Sequence, residues 1–141
     1  MKKSLLRTDY LERVYRVNSF IQVVNKAVKI LRKYRRKHPF EAIAFTGTSG
    51  AALAYPLSYK LGVPLICVRK SKRNSHFYGK VEGYLASKYI IVDDFIESGK
   101  TMKDIKKSLD GAVEDAELVG IYLYDNFAGL RKRQDIPVIR E

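Results

Sequence analysis

The apolar positions of this chain change their period near residue 40. Before it they recur at helical spacing, and after it short apolar runs alternate with helical segments. Tyr10, Leu11, Val14 and Tyr15 share one side of a helix over residues 8–17, behind Thr8 or Asp9 as a cap. Asn18-Ser19 offers a second cap. From there Phe20, Val23, Val24, Ala27, Leu31 and Tyr34 form an apolar stripe opposite Lys26, Lys29, Lys33, Arg36 and Lys37. Pro39 ends that helix, because the residue before a proline is disfavoured in helical backbone. Residues 41–46 then read as a short buried strand, 50–61 as a helix stopped by Gly62-Val63-Pro64, and 65–68 as a second strand. A polar, basic loop occupies 69–80, a strand 89–92, a helix 99–109 and a last strand 118–124. Strands alternating with helices of about ten residues predict parallel βαβ units. The expectation is an α/β fold with a mostly parallel sheet flanked by helices, and ligands at the strand C-termini.

Composition narrows this to one domain. The chain has 141 residues, 46% of them hydrophobic and 30% charged, which suits a globular fold and excludes disorder. We expect a single unit over 1–141, with a helical leader at 1–38, a candidate hood over the site, and an α/β core at 39–141. No apolar run approaches the roughly 20 residues of a bilayer span, so no membrane is expected. The opening Met1-Lys2-Lys3-Ser4-Leu5-Leu6-Arg7 has too few apolar residues for a signal peptide. With Cys67 as the one cysteine, a reducing, cytoplasmic setting is expected. Two histidines and one cysteine, widely spaced, leave no zinc set, and His38 beside Pro39 reads as a helix-end residue.

The net charge of +12 is unevenly placed: residues 1–38 hold twelve of the 27 basic residues against Asp9 and Glu12 alone. A nearly neutral domain with a basic leader suits polyanions; a solvated helix face is the alternative. If the outward lysines and arginines track a nucleic-acid backbone, binding should be weak, sequence-indifferent and steeply salt-dependent.

Candidate chemistry concentrates in Tyr89-Ile90-Ile91-Val92-Asp93-Asp94-Phe95-Ile96-Glu97-Ser98-Gly99-Lys100-Thr101. A buried strand delivers two carboxylates to the ligand-binding edge, and a Ser-Gly-Lys-Thr turn opens a helix. Free amides at that helix start, with the hydroxyls, form a nest for a phosphate. Acids in front of such a nest fit a ligand with both hydroxyls and a phosphate, as a ribose 5-phosphate has. A P-loop is excluded, since Phe95 to Ser98 lack its earlier glycine.

Residues 89–102 resemble the 5-phosphoribosyl pyrophosphate (PRPP) motif of type I phosphoribosyltransferases. The resemblance implies that Asp93 and Asp94 hold the ribose hydroxyls, while Glu97, Ser98, Gly99, Lys100 and Thr101 bind the 5-phosphate. Phe45-Thr46-Gly47-Thr48-Ser49-Gly50-Ala51-Ala52 resembles the family's pyrophosphate loop, which assigns Gly47, Thr48, Ser49 and Gly50 to the leaving group; small residues let the ligand approach the main chain. Arg69-Lys70-Ser71-Lys72-Arg73-Asn74-Ser75-His76-Phe77-Tyr78-Gly79, with Glu82-Gly83 after it, is similar to the mobile catalytic loop of orotate phosphoribosyltransferases. It implies Arg69 and Lys70 at the pyrophosphate and Lys72 and His76 as catalytic groups. Glu97 stands where hypoxanthine-guanine enzymes carry an acid, and so is a candidate acid/base.

The implied reaction is transfer of a 5-phosphoribosyl group from PRPP to a nitrogenous base, releasing pyrophosphate, in nucleotide salvage or biosynthesis. Mg²⁺ is the implied cofactor, held mainly by ligand oxygens and water, with Asp93 and Asp94 as candidate direct ligands. The expected partners are PRPP, a base and a second copy in a homodimer. The hood over the base would come from residues 1–18, from 125–141 or from both. Tyr124-Asp125-Asn126-Phe127 reads either as an aromatic stack or as ordinary packing. No base-binding motif accompanies these segments. The rival expectation is a nucleic-acid-binding regulator on the same fold, with PRPP or a nucleotide as effector.

Overall fold

A single helical turn, α1 (Glu12–Tyr15), leads into the longest element, α2 (Val17–Lys37). After it come β1 (Ala42–Phe45), α3 (Gly47–Leu61), β2 (Leu65–Val68), β3 (Val81–Gly83), β4 (Lys88–Asp93), α4 (Lys100–Ala112) and β5 (Glu117–Leu123). The computed structural model describes residues 11–70, 80–95, 99–125 and 137–141.

The five strands lie in the order β3-β2-β1-β4-β5. All neighbours are parallel except β2 and β3. Alternating side chains serve opposite faces, as strand geometry requires. Ile43, Phe45, Ile90 and Val92 pack with Val24, Ala27 and Leu31 of α2 and Leu53 and Leu57 of α3. Ala42, Ala44, Tyr89 and Ile91 pack instead with Met102, Ile105 and Leu109 of α4. The result is an α/β single sheet between two helical layers, the class that strand–helix alternation predicts. Among the described residues, no helix is long and apolar enough to cross a membrane.

Several boundaries differ from the sequence expectation. Of the helix expected over 8–17, the described residues are helical at Glu12–Tyr15 and at Val17, which opens α2, and the Thr8 or Asp9 cap lies outside them. α2 starts at Val17, not behind an Asn18-Ser19 cap, because Arg16 supplies the extended break. The Ser19 hydroxyl donates backwards, to the carbonyls of Arg13 (2.8 Å) and Arg16 (3.1 Å), and so ties α1 to α2. α3 begins three residues before the expected Gly50. The small-residue segment is its first turn, entered through Gly47 at φ +64°. β3, Val81–Gly83, is marked by no apolar alternation in the sequence. It depends on Gly83, which adopts φ +116° and lies so close to the Leu65 carbonyl that a Cβ would collide with it. At the other edge, residues 137–139 extend the sheet: Ile121 N–H donates to Pro137 and Ile139 N–H to Ile121. Gly120 leaves room for this, since a Cβ there would stand 2.8 Å from the Ile139 side chain.

Candidate active site

The chain leaves β1 toward β2 on one side and leaves β4 toward β5 on the other. The strand order therefore reverses between β1 and β4, and open α/β sheets hold ligands in the crevice above that switch point. β1 ends at Thr46 and the first turn of α3; β4 ends at Asp93 and Asp94. Gly50 lets the two ends touch. A Cβ on it would lie 3.0 Å from Phe45 Cβ and 3.1 Å from the Val92 carbonyl.

Asp93 is 6% exposed and Asp94 3%, and they are the buried charged side chains among the described residues. Asp93 Oδ1 accepts from the Ser49 hydroxyl (2.9 Å) and from the Asp94 amide (2.9 Å). Burial, followed by the hydrogen bond between the two carboxyls, pushes the Asp93 pKa up to about 7; the Asp94 amide and the Ser49 hydroxyl oppose it. Asp94 Oδ2 is buried without a hydrogen-bond partner among the described residues. A buried carboxylate oxygen with no donor is costly. A ligand hydroxyl in the crevice would relieve that cost.

β5 braces this arrangement. The Tyr124 amide donates to the Asp93 carbonyl (3.2 Å) and the Asp125 amide to the Asp94 carbonyl (2.8 Å). The Tyr124 hydroxyl donates to the Ser49 carbonyl (2.6 Å), clipping α3 to the end of β4. Tyr124 is thus a buried clip, 7% exposed, and not an open stacking surface. Asn126 and Phe127 lie outside the described residues. Arg13 Nη1 donates to the Tyr124 carbonyl (3.3 Å), which brings α1 to the same edge.

A cavity of about 300 Å³ opens between the ends of β1 and β2 and the start of α4. Arg69, Lys70, Lys80 and Lys100 line it, with Thr46, Thr101 and one acid, Asp104. Four cations against one carboxylate suit a polyphosphate. The Lys70 amine sits beside the first turn of α3, since a Cβ on Gly47 would be 3.7 Å from Nζ. Arg69 ion-pairs with Glu82 across β2 and β3, while its Nε is buried without a partner among the described residues. Cys67 next to this pair has its thiol pKa raised by burial. Gly99 at φ +79° is the N-cap of α4, with no side-chain cap, and Lys100 and Thr101 of its first turn line the cavity; the amides of a helix start have no intrahelical partner.

Of the residues singled out in the sequence, Gly47, Thr48, Ser49, Gly50, Arg69, Lys70, Asp93, Asp94, Gly99, Lys100 and Thr101 all gather at the C-terminal edge of the sheet. Lys72, His76, Glu97 and Ser98 lie outside the described residues. Lys80 and Asp104 were missed, as was the role of Tyr124. The charge of the 69–80 segment was the only available signal for Lys80, and Asp104 carried none. Among the described residues no group of three or more His, Cys, Asp or Glu side chains could hold a metal ion.

The model of the phosphoribosyl transferase domain family matches residues 12–124. Orotate phosphoribosyltransferase of Rhizobium meliloti (strain 1021) is 28% identical over 97 residues, 65% of this chain and 41% of that protein. The Sinorhizobium fredii enzyme of the same name is 27% identical over the same shares. This chain therefore spans 41% of the length of these curated relatives. Among solved structures, orotate phosphoribosyltransferase of Francisella tularensis superposes with a TM-score of 0.62 at 15% identity, over 78% of this chain and 53% of that one. Adenine phosphoribosyltransferase of Thermoanaerobacter pseudethanolicus gives 0.58 at 20% identity, over 79% and 70%. At these identities the two structures speak for the fold.

Proposed function

Since the chain belongs to the phosphoribosyl transferase domain family, we propose that it transfers the 5-phosphoribosyl group of PRPP to a nitrogenous base and releases pyrophosphate, in nucleotide salvage or biosynthesis. The observation that carries this reading is the buried Asp93–Asp94 pair, with one oxygen unpartnered among the described residues, beside a cavity lined by four cations. Hydroxyls and a diphosphate on one molecule would satisfy both.

In this reading Asp93 and Asp94 accept the ribose hydroxyls, and Ser49 keeps Asp93 in place. The 5-phosphate meets the start of α4, where Gly99, Lys100 and Thr101, with Ser98 and Glu97 before them, supply amides, hydroxyls and charge. The leaving pyrophosphate takes the first turn of α3, Gly47 to Gly50, together with Lys70 and the donors of Arg69 that Glu82 does not use. Bond breaking leaves positive charge on the ribose and negative charge on the pyrophosphate, so fixed cations and amides lower the barrier without reorganising. Lys72 and His76 close over that charge and exclude water, and Glu97 handles the proton of the base.

Asp93 and Asp94 are hard oxygen donors of the kind Mg²⁺ takes, and since among the described residues no third His, Cys, Asp or Glu joins them, they would share it with ligand oxygens and water. When bound it would supply charge neutralisation at the diphosphate. A cytoplasmic homodimer belongs to the same proposal, and the exposed Tyr15, Val17 and Ile21 offer apolar surface for a second copy.

The test is pyrophosphate release from PRPP and Mg²⁺ against a panel of purine and pyrimidine bases. We expect release with one class of base, abolished in the Asp93→Asn/Asp94→Asn variant. A folded protein that releases none with any base would refute the reading.

A further inference from the structure

α2 carries seven Lys or Arg and no Asp or Glu in its 21 residues. Its apolar stripe is already used, with Val23, Val24, Ala27, Val28 and Leu31 buried in the core. That leaves Lys29, Arg32, Lys33, Arg36 and Lys37 exposed. Helix faces that only meet water usually mix signs, because like charges three or four positions apart repel. The helix dipole accounts for Arg35, Arg36 and Lys37 in the last turn, but not for Lys29 or Lys33. Among the described residues, the ion pair on this helix is Lys26 with Glu141 at 2.9 Å. Lys29 also feels Glu141; among the described residues Arg32, Lys33, Arg36 and Lys37 form no ion pair.

The row continues onto α3. Arg32 Nη2 donates to the Lys60 carbonyl (3.2 Å), and Lys60 Nζ lies 5.9 Å from the centre of the Tyr59 ring. Tyr59 is 85% exposed, an aromatic surface that the core does not use. Topology separates this face from the crevice. α2 ends where β1 begins, and α3 starts at the crevice and runs back to Leu61. Lys37, Tyr59 and Lys60 therefore stand at the strand N-terminal edge, opposite Asp93 and Asp94.

We infer that this α2–α3 face binds single-stranded nucleic acid, with phosphates along Lys29, Arg32, Lys33 and Arg36 and a base stacked on Tyr59. Cationic rows beside exposed aromatics hold single strands without sequence preference, because every base has a stacking face. A duplex would leave Tyr59 without an unpaired base. A bilayer surface needs an apolar helix face to insert, and alongside the basic row that face of α2, Val23 to Leu31, is in the core.

Fluorescence anisotropy with labelled oligo(dT) and oligo(U) of about twelve nucleotides, a length within single-strand site sizes, tests this directly. Affinity should fall with salt along a log–log slope of about −0.7 per phosphate neutralised. Lys29→Gln/Lys33→Gln/Arg36→Gln together should flatten that slope by about two units. Tyr59→Ala should weaken binding by about fivefold or more and leave the slope unchanged. All four positions are exposed, so circular dichroism and melting should match the parent protein. The inference fails if neither oligonucleotide binds at low salt, if the triple variant keeps the parent slope, or if Tyr59→Ala binds as well as the parent. Binding to phosphatidylserine vesicles without oligonucleotide binding would assign the face to membranes and overturn it too. None of these readouts involves PRPP, so the transferase reading stands or falls separately.

Discussion

At the residue scale, Asp93 and Tyr124 carry the most consequence. Asp93 has a pKa near 7 in the fold, well above its ordinary 3.8. The folded state therefore binds a proton that the unfolded chain has already lost, and stability is greatest below pH 4 from this group. It declines as pH rises to about 7, by at most about 1.4 kcal/mol per pH unit. Urea unfolding at pH 5 and pH 8 should show this loss, and Asp93→Asn should flatten it; parallel profiles in the two proteins would contradict the assignment. Tyr124→Phe removes a second donor to the Ser49 carbonyl, which sits in the first turn of α3, and should cost about 0.5–1.5 kcal/mol. Thermal melting checks it, and no change would mean that water replaces the hydroxyl. The two residues also differ in how readable they were. Adjacent aspartates after an apolar run announce themselves. Tyr124 meets Ser49 across 75 positions of sequence, and nothing local marks a contact made only when β5 lies beside β4.

At the element scale, legibility follows how strongly local pattern dominates. β2 was expected at 65–68 and spans Leu65–Val68, because an apolar run between Pro64 and a basic stretch leaves little choice. β3 is three residues long and half-exposed, too short for alternation to register. The start of α3 was misplaced because Gly47-Thr48-Ser49-Gly50 has the composition of a loop. Its helical turn is imposed by the close packing of Gly50 against Phe45 and Val92. The segment over 71–79 belongs to this scale as well. If it closes only over developing charge, Lys72→Ala and His76→Ala should lower kcat more than they raise KM. Arg73 can substitute in part for Lys72, so the triple Lys72→Ala/Arg73→Ala/His76→Ala variant is the sharper case. Steady-state kinetics with an unchanged kcat in that variant would make the segment ordinary surface.

At the scale of the whole molecule, charge and topology divide the labour. The sheet's C-terminal edge gathers buried carboxylates and a cationic cavity at the strand reversal, while the opposite edge carries the basic row of α2. Strand–helix alternation was enough to predict a mostly parallel α/β sheet, and the Asp93-Asp94 motif places the candidate site at the strand C-terminal edge, where the two carboxylates lie. Strand order was not readable, because it depends on which edges the crossovers choose. Titration calorimetry of PRPP with Mg²⁺ into the parent protein and into Asp93→Asn/Asp94→Asn tests the central claim most directly. Each lost charge-assisted acceptor is worth about 1.5–3 kcal/mol, so the double variant should bind at least about a hundredfold more weakly. Equal affinity in the two proteins would contradict the account.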